Sequence, residues 1–249
     1  MFKEIREISD RLNWNNISYN QNLSEKFIRE FADKVNWDNI SCKQKLSEEF
    51  IKEFADKVNW FWISYSQELS EEFIREFENR VDWCSISYHQ KLSKGFIREF
   101  SDKLDWKQIS WNQKLSEKFI REFADKVDWK YISYKYLSEE FIREFNDKVD
   151  WKEFIRESSD RINWEYISKY QNLSEEFIRE FSDKVYWYNI SCNQKLSDGF
   201  IIEFYNRVDW KILDNCNKIN KEIFKKMNRE CKLYMIMNYR EVWEKYNGR

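Results

Sequence analysis

Proline is absent from the 249-residue chain, glycine occurs three times and histidine once. Turns between strands draw heavily on glycine and proline, so their scarcity excludes a strand-and-turn architecture and favours helices joined by short connections. Gly95, Gly199 and Gly248 stand alone, and no glycine-rich loop exists to cradle a phosphate. No apolar stretch approaches the roughly 18 residues of a membrane-spanning helix. The first residues, Met1 to Glu7, alternate charged and apolar side chains and lack the apolar run of a secretion signal. An intracellular protein with no membrane attachment is expected. The cysteines, Cys42, Cys84, Cys192, Cys216 and Cys231, are odd in number and form no C-x-x-C pair. That argues against a disulfide framework and a zinc site, and reduced, partly buried thiols are expected.

The composition that remains is 42% hydrophobic, 19% aromatic and 35% charged, enough apolar material for a core and too much for a disordered chain. Tryptophan recurs every 23 residues at Trp14, Trp37, Trp60, Trp83, Trp106 and Trp129, and continues at Trp151, Trp164, Trp187 and Trp210 with spacings of 22, 13, 23 and 23. Each full unit reads W-x-x-I-S-x-x-Q-x-L-S-E-x-F-I-R-E-F-x-D-K-V-[DN], and eight copies lie between Trp14 and Asp209.

The unit reads as two helices. Phe50, Ile51, Phe54 and Val58 form a single helical stripe, with Ser47 as N-cap, carboxylates behind it suiting the helix dipole, and Leu46 placed to staple against Ile51. Glu25 with Arg29 and Glu30 with Lys34 have the spacing of ion pairs along one helix. The Asn or Asp before each Trp caps a second, shorter helix on which Trp37 and Ile40 face the same core. Helices of about eight and eleven residues are expected. A leucine-rich repeat has a similar period, but its signature and any period-two alternation are missing. Burying seven apolar side chains does not offset the ordering of 23 residues, so each unit must stack on its neighbours. The expected fold is an all-α solenoid of tandem 23-residue helix-turn-helix repeats over residues 1–210, closed by a helical cap over 211–249.

The period breaks at 151–163. Residues 155–164 match residues 5–14 at an offset of 150, and Gln21-Asn22-Leu23 and Ile40-Ser41-Cys42 recur as Gln171-Asn172-Leu173 and Ile190-Ser191-Cys192. A block containing the N-terminus has been copied onto the array, and a kink is expected near 151–163. One residue is missing near Tyr134-Lys135-Tyr136-Leu137. From Lys211 the repeat fades, although Ile219, Ile223, Met227, Cys231 and Tyr234 space as one helical face. This last segment has ten basic and five acidic residues against 33 and 40 in the rest. It reads as a terminal cap, with a basic docking tail as the alternative.

These units resemble short repeats in proteins of giant, amoeba-infecting DNA viruses of the mimivirus type. The likeness covers residues 1–210 and leaves out the tail. The richness in Asn, Lys, Ile and Tyr is similar to that of proteins from such AT-rich genomes. The resemblance implies a viral protein acting in the host cytoplasm and supplies no activity, cofactor or partner.

Enzyme chemistry finds no support. His89 has no His, Cys or carboxylate partners at metal-ligand spacing. Glu30, Glu53, Glu76, Glu99, Glu122, Glu144 and Glu180 are one residue repeated along a helical face, whereas catalytic carboxylates need contrasting environments. The serines at Trp+4 (Ser18, Ser41, Ser64, Ser87, Ser110, Ser133, Ser168 and Ser191) have no accompanying base. With the Gln at Trp+7 they read as a hydrogen-bond ladder between units. No catalytic residue, cofactor or metal is expected.

Positions Trp+1, +2, +5 and +6 vary while their neighbours stay constant, and they form one stripe on the short helix. They carry Tyr19, Phe61, Trp62, Tyr65, Tyr88, Trp111, Tyr131, Tyr134, Tyr166, Tyr170 and Tyr188, interspersed with Asn, Ser, Cys and Lys. Aromatic anchors among small polar groups are what binding faces use; drift on an exposed face, or packing between units, is the plainer explanation. The expected function is a macromolecular interaction scaffold, protein-binding through this face. The alternative is RNA or single-stranded nucleic acid, stacked on the aromatics with help from the basic C-terminal segment. The acidic array weighs against that, since neutralising phosphates needs clustered Lys and Arg.

Overall fold

The computed structural model describes residues 2–147 and 162–247, and every regular element among them is a helix. The chain is an α-solenoid that divides into two compact units, Met1–Val127 and Asp128–Arg249. The building block is the 23-residue module, a helix beginning at the Trp followed by a helix carrying the Phe residues. In the second module these are Trp37–Lys43 and Glu48–Glu53.

Local chemistry sets the boundaries. The Asn36 side chain accepts a hydrogen bond from the Asn39 amide at 3.0 Å and Ser47 Oγ accepts one from the Phe50 amide at 3.2 Å, so both helices begin at side-chain caps. The Phe helix has six residues, shorter than the eleven expected. The chain tightens into turns after Glu53: the Phe54 carbonyl accepts from both the Lys57 and Val58 amides, and the next carbonyl, Ala55, accepts from the Trp60 indole at 2.9 Å. The same indole-to-carbonyl bond recurs from Trp14, Trp37, Trp83, Trp106, Trp187 and Trp210. The module's Trp therefore terminates the helix before it. Inside, Trp37, Phe50 and Phe54 form a ring trio with centroids 4.7–6.3 Å apart, and Ile40, Phe50 and Ile51 are buried.

Modules are joined by buried and part-buried polar bonds that recur at most junctions within a unit. Ser41 Oγ donates to the Trp37 carbonyl at 2.7 Å and accepts from the Asn59 amide of the next module at 2.9 Å. Gln67 Nε2 donates to the Ser41 and Gln44 carbonyls, and its Oε1 accepts from the Leu46 amide. Glu48 accepts from the Ser70 amide at 2.6 Å. The Ser–Gln ladder expected from sequence is present. An outer, exposed ladder crosses modules as well, through Arg29–Glu53, Lys52–Glu76, Arg75–Glu99 and Arg98–Glu122. Arg29 also keeps the expected partner Glu25 at 3.7 Å. Lys34 does not pair with Glu30: it reaches the preceding module's Asp10 at 2.8 Å, while Glu30 pairs with Arg6. Stacking thus competes successfully with pairing along one helix.

In the second unit the same bonds cross the period break. Asn163 donates to Ser133 Oγ, Gln171 Nε2 to the Ser133 and Lys135 carbonyls, and Ser174 to Glu139, while Arg143 pairs with Glu180. The module beginning at Trp164 is seated on the one beginning at Trp129 as any module is on its predecessor. Ile162 is buried, occupying the place of the usual Val. The expected kink at 151–163 falls almost entirely outside the described residues.

Trp210–Asn215 still follows the repeat. Three helices then follow, Lys221–Lys226, Arg229–Asn238 and Arg240–Asn247. The single helical face expected from Ile219 to Tyr234 is divided, because the chain leaves helical geometry at Met227 and restarts at an Asn228 cap. Ile219, Ile223, Met227 and Cys231 are nevertheless buried together with Trp210, Leu213 and Met235. Lys218 closes the ladder. With Asn217 turned into the left-handed region (φ 53°), its ammonium donates to the Ser191, Cys192 and Gln194 carbonyls at 2.5–2.9 Å, where a further module would present Gln. Lys226 and Lys245 pair with Asp198 and Asp214, so several charges of the basic segment are spent internally.

Candidate interaction face

The Trp helices place their constant Ile and Ser inward and Trp+1, +5 and +6 largely outward, while Trp+2 is half-buried or buried in the described copies after the first, as at Trp62, Ser85 and Asn189. In the first unit Phe61 (48% exposed), Tyr65 and Tyr88 (46% each) stand on consecutive helices, with Trp62 half-buried between them. Phe61 meets Trp62 edge-on at 5.0 Å and stacks on Tyr65 at 6.1 Å, and Trp62 meets Tyr65 at 5.8 Å. His89 bridges the helices, its ring 4.0 Å from Tyr65 and 4.5 Å from Tyr88. Burial holds the His89 imidazole below its ordinary range, so it presents a neutral ring and behaves as a fifth aromatic. Trp111 is exposed one helix beyond. Tyr19 lies on the first Trp helix beneath the Lys43 ammonium, 4.8 Å from its ring.

The second unit holds a different cluster. Tyr134 packs against Tyr166 at 3.9 Å and Tyr170 at 5.8 Å, with Tyr131 at 6.5 Å. The hydrogen bond with Tyr166, aided by burial, pushes the Tyr134 phenol up to about 12. Three of these four rings are half-buried, so this set is largely packing between modules. Tyr188 stands apart from it, exposed on Trp187–Asn193. The eleven residues singled out in sequence therefore fall into a cluster of four with three rings exposed, a packed cluster of four, and Tyr19, Trp111 and Tyr188 outside both.

His89 was missed as a member because it was weighed only as a ligand or base. The signal that finds it is the register of the array: position +5 of one module meets position +6 of the next, as Tyr65 meets His89 and Tyr19 meets Lys43. Tyr186, exposed one residue before Trp187, was missed because that position is Asn or Asp in the other full copies.

No family model, curated protein or solved structure matches the chain. Among the described residues there is no group of three or more His, Cys, Asp or Glu able to hold a metal ion, and no helix long and apolar enough to cross a membrane.

Proposed function

We propose that the protein is a macromolecular interaction scaffold that binds a protein segment on the Trp-helix face of residues 14–112. The cluster of Phe61, Tyr65 and Tyr88, exposed around a half-buried Trp62 and joined by His89, carries this reading. Its setting supports it: of the twenty variable positions on the five Trp helices of the first unit, Asp38, Lys43 and Lys107 alone are charged, in a chain that is 35% charged overall. Aromatic enrichment with depletion of charge is the composition of protein interface cores, and the exposed amides of Asn15, Asn20 and Asn112 offer hydrogen bonds around it. The partner that suits this face is an extended segment of low charge whose apolar side chains insert between the rings. Phosphate recognition would call for Lys and Arg, of which the face offers two.

A displayed random-peptide library tests the idea. Peptides enriched on the wild-type protein should lose at least about tenfold in affinity against a variant carrying Phe61→Ser, Tyr65→Ser and Tyr88→Ser whose circular dichroism is unchanged. Equal binding by the two proteins sinks the proposal. A band shift with single-stranded RNA that weakens with salt and is lost in the variant would replace it with nucleic-acid binding.

A further inference from the structure

Within each unit, one register rule links successive Trp helices: the side chain at Trp+5 meets the one at Trp+6 of the next module. Four pairs of unlike chemistry obey it. Tyr19 meets Lys43 at 4.8 Å, Cys42 Sγ meets Ser66 Oγ at 4.0 Å, Tyr65 meets His89 at 4.0 Å, and Tyr134 meets Tyr170 at 5.8 Å. At Trp187 and Trp210 the two positions are Cys192 and Cys216, so the same register places the two thiols side by side. Both are free, Cys192 half-buried and Cys216 exposed.

The surroundings hold the pair together. Cys216 ends the Trp210–Asn215 helix. Two residues later Lys218 grips three carbonyls of the preceding module, that of Cys192 among them. The backbone that carries each thiol is thus tied to that of the other through Lys218. Burial and the neighbouring Cys192 raise the Cys216 thiol while Lys218 lowers it, so its thiolate is a minor species at neutral pH and closure should quicken as the pH rises.

We propose that Cys192 and Cys216 are a redox-sensitive dithiol that closes to a disulfide under peroxide and fastens the last module of the array to its C-terminal cap. Cys216, the more exposed, attacks hydrogen peroxide as its thiolate to give a sulfenic acid and one water. Cys192 then attacks that sulfur, the S–S bond forms and a second water leaves. The peroxide accepts the two electrons and the two thiol protons. A thiol reductant reverses the step. The other cysteines serve as internal controls: Cys84 faces Asp105 at 3.7 Å, Cys42 faces a serine, and Cys231 is buried apart in the cap.

The test is peroxide titration of the full chain, with thiol counting and non-reducing peptide mapping. The five thiols should fall to three, with one peptide pair joined through Cys192 and Cys216 and full recovery in dithiothreitol. The same closure is expected in the Cys42→Ser, Cys84→Ser double variant, and none in Cys192→Ser or Cys216→Ser. Oxidised wild type should melt roughly 5–10 °C higher than reduced, a shift both single variants lack. Five thiols surviving peroxide, cross-links through other cysteines, or disulfide-linked dimers would overturn the pair. Closure without the melting shift would overturn the clamp.

Discussion

At the scale of single residues, two ladders join the same modules and differ in where they lie. Gln67 is buried, and its amide serves two carbonyls and one N–H of the preceding module. Gln67→Leu keeps the volume and strands those groups, so a loss of about 3 kcal/mol is expected in urea unfolding. Glu76 accepts from Lys52 with both side chains about half exposed, and Glu76→Gln should leave the urea midpoint nearly unchanged. Equal losses would mean that the buried ladder does not dominate stacking. The single histidine gives a separate handle. Burial sets the folded His89 below its ordinary 6.5, so below that pH the unfolded chain binds the proton more readily than the folded one. Stability is full above about pH 6.5 and declines as the pH falls through it. The melting temperature should drop between about pH 7.5 and about pH 5.5, with a shallower slope in His89→Asn; identical slopes would exonerate the imidazole. The Ser and Gln roles were legible because both residues recur at fixed positions in nearly every copy. Lys218 was not, because it does the work of a Gln from one residue further along.

Among elements, the starts of helices were readable and the ends were not. Ser47 and Asn36 announce N-caps by residue type, whereas the early end of the Phe helix depends on an indole five residues beyond the carbonyl it serves. No periodicity in the apolar residues encodes that bond, and Val58 stays on the buried stripe through a turn. Among the described residues, the one Trp helix without a side-chain cap begins after Tyr186. Tyr186→Asp restores the acceptor used at Asp82 and Asp105 and removes only an exposed ring. It should stabilise the protein by about 1 kcal/mol, measurable as a higher urea midpoint; no change would mean that the Tyr186 ring contributes as much as a cap. The candidate face was legible as a stripe, but its division into an exposed and a packed cluster was not. That division depends on whether a ring finds a partner in the next module, as Tyr134 does in Tyr166 and Tyr170.

For the molecule as a whole, solenoid architecture followed from the period alone, while the junction across the break required the bonds themselves. Asp147 and Ile162 sit at the two ends of a segment that the ladder spans without a change of pattern. Deleting residues 148–160 joins Asp147 to Arg161 and recreates the Phe-x-Asp-basic-apolar-Asn-Trp run of an ordinary module. The deleted protein should keep its helical circular dichroism and melt within a few degrees of the parent. A large loss of helix would show that the segment supports the array.

The bonds between modules have a consequence for how such a gene changes length. Each module presents on one side the acceptors and donors that its predecessor used, and on the other those that its successor will need. Unequal recombination that adds or removes one whole repeat therefore leaves no mismatched junction. The seating of the Trp164 module on the Trp129 module, with a stretch that matches residues 5–14 lying between them in the chain, is what such an exchange would leave in a protein that goes on folding.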